Sequence, residues 1–249
     1  MGCCASEQGG LETERREGNN AKVTKSGGAM GKKSANLPKL IYFPVHGKGD
    51  SIRMLLNHAN VEFEDKHING AELKAMRERG ELPLGGQVPV WRDENGVQYN
   101  QTAAIMIMLG KKYGYYPEDP WDSYEDDWAL ANFQDIWGPS FSYKHLKAEL
   151  DEEEIAATVA VFEKWNNVVE RKLTDLGARK FIGGKKPSVG DFITFSAYGN
   201  YVLNESTKVP ALRNALKEKV ENTPRVKAWM QSMQEENKAH LAKRVKASL

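Results

Sequence analysis

The chain has 249 residues, with 35 Lys and Arg against 34 Asp and Glu, a formal net charge of +1, so it lacks the basic excess of a nucleic-acid binder. Hydrophobic residues make up 40%, enough for one large core or two modest ones. Both cysteines, Cys3 and Cys4, sit at the N-terminus, which excludes a disulfide framework, a thiolate metal site and a cysteine nucleophile from the rest of the chain.

Residues 1–38 are rich in Gly, Ser, Asn, Lys and Glu with almost no large apolar side chain, and are expected to be disordered. They open Met-Gly-Cys-Cys-Ala-Ser, which offers Gly2 for myristoylation, Ser6 completing the pattern, and Cys3 and Cys4 for palmitoylation. One acyl chain holds a membrane marginally and a second makes the anchor stable. Lys22, Lys25, Lys32 and Lys33 add attraction for anionic lipid. The expected location is therefore peripheral, on the cytoplasmic face of a membrane; an unmodified Gly-Cys-Cys start is the alternative. No apolar run approaches the roughly 18 residues that span a bilayer. No apolar segment with a small-residue cleavage site suggests export, so the chain is read as intracellular. Ser26 to Ser34 has the Gly and Lys of a phosphate-binding loop, but its first Gly is misplaced, Lys33 takes the Ser/Thr position and no strand precedes it.

From Lys39 the pattern changes. Leu40 to Val45 predicts a short buried strand, Gly47-Lys-Gly49 a tight turn, and Ser51 to Ala59 a helix with Ile52, Leu55 and Leu56 on one face. Val61 to Ile68 alternates as a second strand, which makes a βαβ unit with a parallel pair. A polar helix over Ala71 to Arg79 follows. Val88 to Trp91 and Val97 to Tyr99 then flank the hairpin turn Asp93-Glu-Asn-Gly96, and Thr102 to Tyr113 reads as an apolar helix. The order βαβ, α, ββα is that of a thioredoxin-like domain, assigned to residues 39–116.

After a linker at Pro117 to Pro120, residues 121–249 read as an all-helical domain. Helices are predicted over Trp121 to Ile136, Glu152 to Leu176, Val189 to Leu203 and Pro224 to the end. Ser188-Val-Gly-Asp191 is a helix-start capping motif. The histidines, His145 and His240 among them, show no metal-ligand spacing, so no metal is expected. The basic stretch Lys238 to Lys246 is read as complementing a helix C-terminus.

Leu-Ile-Tyr42-Phe, the Gly47 turn, Ser-Ile-Arg53, Gly-Gln87-Val88-Pro89 and Gln101-Thr102 stand in the order of landmarks that marks sigma, alpha and mu glutathione transferases. The chain resembles that family from about Leu40 to its C-terminus, and the capping motif at Ser188 matches as well. The resemblance implies an α/β thioredoxin-like N-terminal domain joined to an all-α C-terminal domain, a homodimer, and glutathione as co-substrate for attack on a small electrophile. It implies that Tyr42 donates its hydroxyl to the glutathione sulfur, favouring thiolate over a thiol whose free pKa lies near 8.5. A tyrosine merely packed in its strand is the alternative.

Further implications follow the same motifs. Pro89 is expected in cis, so that the backbone of Val88 pairs with the cysteinyl part of the tripeptide; an edge-strand proline is the alternative. Gln87 is expected to contact glutathione by its side chain. Gln101 and Thr102 open a helix, with Thr102 as N-cap, and offer N–H groups to the γ-glutamyl carboxylate; a cap without a ligand reads the same. Asp135 lies where an acid reaches across the dimer to the partner's glutathione amine, although an ordinary solvent-facing acid fits equally. Family members often carry Arg-Gly-Arg where this chain has His46-Gly47-Lys48. Lys48 keeps the charge without the planar fork, and His46 is expected to be an exposed loop residue. Arg77-Glu-Arg79 lies where other members set basic residues against the glycyl carboxylate. Peroxide reduction and prostaglandin-type isomerisation are variants of the same chemistry, with substrate choice resting near Tyr143 and the C-terminal helix. A non-catalytic scaffold on the same fold is the competing reading.

Overall fold

The structure is a computed structural model and describes residues 37–138 and 149–247. The acylation motif with Gly2, Cys3 and Cys4, the tail lysines, Tyr143 and His145 lie outside these residues. Among the described residues no helix is long and apolar enough to cross a membrane.

Strand β1 (Lys39–Tyr42) leads through a 3-10 turn (Gly47–Gly49) into α1 (Asp50–His58), then β2 (Glu64–His67) and α2 (Gly70–Glu78). Strands β3 (Val90–Arg92) and β4 (Gln98–Asn100) form the hairpin, and α3 (Thr102–Tyr113) closes the α/β part. The sheet order is β2-β1-β3-β4, with β1 parallel to β2 and antiparallel to β3. Period-two alternation divides its residues between two cores. Ile41 and Val90 pack with Ile68, Leu73 and Met76 toward α2. Leu40 and Trp91 join Ile52, Leu55, Ile105 and Leu109 from α1 and α3 on the other side.

The helical part comprises α4 (Pro120–Ile136), α5 (Glu152–Asp175), α6 (Val189–Tyr201), α7 (Pro210–Glu221), α8 (Pro224–Glu236) and the short α9 (Lys238–Lys243). Helix α6 is buried along its whole length, and its buried polar side chains Asp191 and Asn200 are hydrogen-bonded within the fold. It packs against α4 and α1 and so joins the helical part to the α/β part. Its start is fixed by Asp191, whose carboxylate accepts from the N–H groups of Ile182 at 2.8 Å, Gly183 at 3.0 Å and Ser188 at 3.0 Å, and from Trp229 Nε1 at 2.7 Å.

Three sequence expectations change. Helix α7 was absent from them, although Pro210 in its first turn and Leu212, Leu216 and Val220 along its buried stripe carry the signal. The helix expected from Pro224 to the end breaks at Asn237, the shared boundary of α8 and α9. Proline 120, assigned to the linker, is instead the first residue of α4, capped by Asp119.

Candidate active site

Strand β1 delivers Tyr42 to the end of the sheet, where the side chain is 7% exposed. Its ring lies under the 3-10 turn. A Cβ on Gly47 would stand 2.6 Å from Tyr42 Oη, and one on Gly49 would stand 2.6 Å from Cδ1, so a side chain at either position displaces the phenol. Gly47 also sits at φ +45°, where glycine is favoured. The Oη accepts a hydrogen bond from the Lys48 backbone N–H at 3.0 Å, which leaves the phenolic proton free to be donated elsewhere.

Arg53 completes the surroundings, with its guanidinium carbon 5.7 Å from the Tyr42 ring centroid. It pairs with Asp65 at 2.8 Å and donates to Val45 O at 2.7 Å and Phe43 O at 3.2 Å, fixing the loop between strand and turn. Burial pushes the Tyr42 hydroxyl above the usual tyrosine range, partly offset by the Lys48 N–H and the Arg53 charge. The phenol is therefore a protonated donor at neutral pH.

Sheet register brings further expected residues to the same edge. Ile41 pairs with Val90 and Val90 with Asn100. One step along, these antiparallel ladders align Tyr42, Pro89 and Gln101 across three strand ends. The Val88–Pro89 bond is cis. Pro89 is buried, Val88 half-buried and Gln87 exposed beside them. The preceding loop is tied down by Asn100 Nδ2 to Leu84 O at 2.7 Å and by Arg77 Nε to Gly86 O at 2.6 Å.

Gln101 is the N-cap of α3 at φ 67° and ψ 110° and supplies no side-chain cap bond. Thr102, expected as the cap, is instead the first helical residue and is buried; the unusual backbone of Gln101 moves the helix start by one position. The first N–H groups of α3 thus carry the positive end of the helix dipole without a capping side chain. Non-glycine residues in such sparsely populated conformations cluster at functional sites.

Those features form one constellation of a buried phenol donor, a cis-proline edge and an uncapped helix start. A family model described as "Glutathione S-transferase, C-terminal domain" matches residues 134–233. Human glutathione S-transferase A2 is 31% identical over 204 residues, covering 79% of this chain and 89% of the relative. The chain belongs to the glutathione S-transferase family. Rat glutathione S-transferase alpha-4 is 29% identical over 200 residues, covering 78% of this chain and 88% of its own. The fold is that of the Ascaris lumbricoides glutathione S-transferase, with a TM-score of 0.70 at 20% identity over 86% of this chain and 100% of the other.

Against the glutathione transferase pattern, several side chains stand differently from expectation. His46 is buried at 3% exposure rather than exposed, because its Nε2 meets Val245 O at 2.6 Å, from a residue 199 positions away. Lys48 reaches Tyr42 through its backbone, while burial pushes its half-buried ammonium below the usual lysine range. Arg79 is held by Glu81 at 2.5 Å and Arg77 by the Gly86 carbonyl, so both basic groups are already engaged within the chain. Asp135 is exposed, one residue before the end of α4. Among the described residues no group of three His, Cys, Asp or Glu is arranged to hold a metal ion. The sequence reading missed Asn200, whose Oδ1 accepts from the Gly47 N–H at 2.9 Å. An amide inside the apolar helix α6 was the available signal, since a buried polar side chain demands a partner.

Proposed function

We propose that this protein conjugates glutathione to small electrophiles, with Tyr42 as the thiol activator. The thiol proton leaves to solvent, the Tyr42 hydroxyl donates to the sulfur and stabilises the thiolate, and the thiolate then forms a C–S bond to the electrophile as the leaving group departs. The bond from Lys48 N–H to Oη strengthens that donation by withdrawing charge from the phenolic oxygen. The Val88 backbone pairs with the cysteinyl unit, and Gln87 contacts it by its side chain. Gln101 and Thr102 present the start of α3 to the γ-glutamyl carboxylate. The Lys48 ammonium supplies positive charge, and Asp135 of a second copy meets the amine in a homodimer. The single observation that carries this reading is the buried phenol, whose oxygen accepts from Lys48 N–H while no acceptor among the described residues takes its own proton.

The proposed domain division is an acylated tail over 1–38, a glutathione-binding domain over 39–116 and a helical domain over 121–249. Gly2, Cys3 and Cys4 carry the acyl groups that hold the enzyme on the cytoplasmic face of a membrane; the Met-Gly-Cys-Cys-Ala-Ser start supports this. Peroxide reduction and prostaglandin-type isomerisation are further uses of the same thiolate. The second reading, a binding module without turnover, draws on Lys48 standing in place of the arginine fork.

The two separate in one assay. Glutathione-dependent conjugation of a general aromatic electrophile by the full-length protein supports the transferase. Retention on glutathione resin without any turnover supports the module.

A further inference from the structure

The turn that satisfies Tyr42 is held by the far end of the chain. Its Gly47 N–H donates to Asn200 Oδ1, and Asn200 is fixed in turn by Nδ2 to Ser196 O at 2.5 Å. Before the turn, His46 Nε2 bonds Val245 O at 2.6 Å. After it, the Asp50 carboxylate, fully buried at the first position of α1, takes His240 Nε2 at 2.9 Å on one oxygen and Arg244 Nη1 at 3.2 Å on the other. Arg244 Nη2 continues to Gly199 O at 3.1 Å, within the last turn of α6. Three of the five residues from His46 to Asp50 are thus tied to partners 153 to 199 positions away.

Breaking a buried ion pair costs far more than rearranging an exposed one, because the remaining charge loses its solvation as well as its partner. Burial alone would raise the Asp50 carboxyl, but the bond to His240 and the charges of His240, Arg244 and His46 hold it well below the usual carboxylate range. The carboxylate is therefore ionised throughout the working pH range, and its partners are fixed to it. Ser51 Oγ to Lys48 O at 3.4 Å and Arg53 to Val45 O tie the turn locally, and the outside bonds anchor it on both flanks and at Gly47. With them the direction of the Lys48 N–H is set.

We infer that the segment from His240 to Val245 positions the Lys48 amide against the Tyr42 hydroxyl, so that Asp50, His46 and Arg244 are positioning residues of the active site although none touches the phenol. This rests on the transferase reading of Tyr42. A slackened turn weakens the bond from Lys48 N–H to Oη, makes the phenol a poorer donor and raises the pKa of the bound thiol. Glutathione affinity changes little, because Gln87, Val88, Gln101 and Thr102 are untouched and the Lys48 ammonium rides on a flexible stem that adjusts to a small shift of its backbone.

The test is the pH dependence of kcat and of thiolate absorbance in the glutathione complex of the full chain, for wild type, Arg244→Ala, Arg244→Lys and His46→Ala. Arg244→Ala should move the transition upward by about one pH unit, a roughly tenfold loss of thiolate below it, with glutathione KM within about twofold of wild type. Arg244→Lys, which keeps a charge for Asp50, should recover part of the shift. His46→Ala removes the Val245 tie without opening the Asp50 pair and should shift the transition in the same direction. Arg213→Ala is the control, losing an arginine bond to Val202 O at 3.2 Å along a groove that His46 and Arg244 also line; it should keep the wild-type profile whatever it does to the melting temperature. Wild-type profiles in both Arg244→Ala and His46→Ala overturn the inference. Turnover that Tyr42→Phe leaves unchanged overturns instead the reading of Tyr42 as the thiol activator.

Discussion

The Tyr42 hydroxyl accepts from the Lys48 backbone N–H at 3.0 Å, six residues on, across a turn too tight for a side chain at Gly47 or Gly49. That relationship leaves the phenolic proton at the end of β1, beside the strand ends that carry Pro89 and Gln101. Tyr42→Phe removes the proton and leaves the packing, since the ring contacts stay. Turnover is expected to fall about 100-fold, the scale of one lost donor to a developing or stabilised anion. Retention on glutathione resin should persist; full activity in Tyr42→Phe would show that another group activates the thiol.

Gly49 has an ordinary helical φ of −78°, so its substitution tests space alone. Gly49→Ala drives a methyl to 2.6 Å from the Tyr42 ring and should cost about 1–3 kcal/mol in urea unfolding, together with lost activity. A neutral Gly49→Ala would mean that the turn and ring are not packed as described.

Asp126 is fully buried, with Oδ1 accepting from Gly190 N–H at 2.8 Å and from the Ser188 hydroxyl. Burial pushes its carboxyl up to about 7, against the bonds from Ser188 and Gly190, and the nearby Asp191 and Asp127 charges add to the rise. A folded pKa above the unfolded one means stability is complete below the unfolded value near 4 and is lost as pH rises through about 7. The contribution is on the order of 4 kcal/mol across that window. Asp126→Asn should therefore flatten the decline of the urea midpoint between pH 5 and pH 8. Parallel curves for the two proteins would contradict the assignment.

Asp191 gathers four N–H donors at the start of α6, so Asp191→Ala leaves them buried and unmet. A loss of roughly 3–5 kcal/mol is expected, visible as a large drop in melting temperature with no change in the pH of maximal activity in whatever protein remains folded. A loss below about 1 kcal/mol would show that water replaces the carboxylate freely.

Most of the strand and helix order was legible because short alternating runs and Gly or Asp turns sit at the spacing of a βαβ unit and a hairpin. Thr102 to Tyr113 has the bounds read from its apolar run. The cis bond before Pro89 and the position of Tyr42 at the end of its strand followed from motif order. What escaped the sequence was long-range. His46 looks like a loop residue until Val245, 199 positions away, covers it. Thr102 is the better capping residue by type, but Gln101 adopts a left-handed φ and takes the cap position itself. Lys48 drew notice for its charge, whereas its amide is what touches the phenol, and a backbone donor leaves no mark in residue type.

The N-terminal motif has its own test. Gly2→Ala should move the full-length protein from the membrane to the soluble fraction, since loss of the myristoyl group also removes the first hold needed for palmitoylation at Cys3 and Cys4. Unchanged partitioning would leave the tail without an anchoring role.

A Tyr42 that activates the thiol lowers the pKa of bound glutathione, which the ultraviolet absorbance of thiolate in the complex reports as pH is varied. Thiolate is expected at pH 7, well below the range near 8.5 of a free thiol, with its loss at that pH in Tyr42→Phe. A thiol that stays protonated at pH 7 in the wild-type complex, or a transition that Tyr42→Phe does not move, would contradict it.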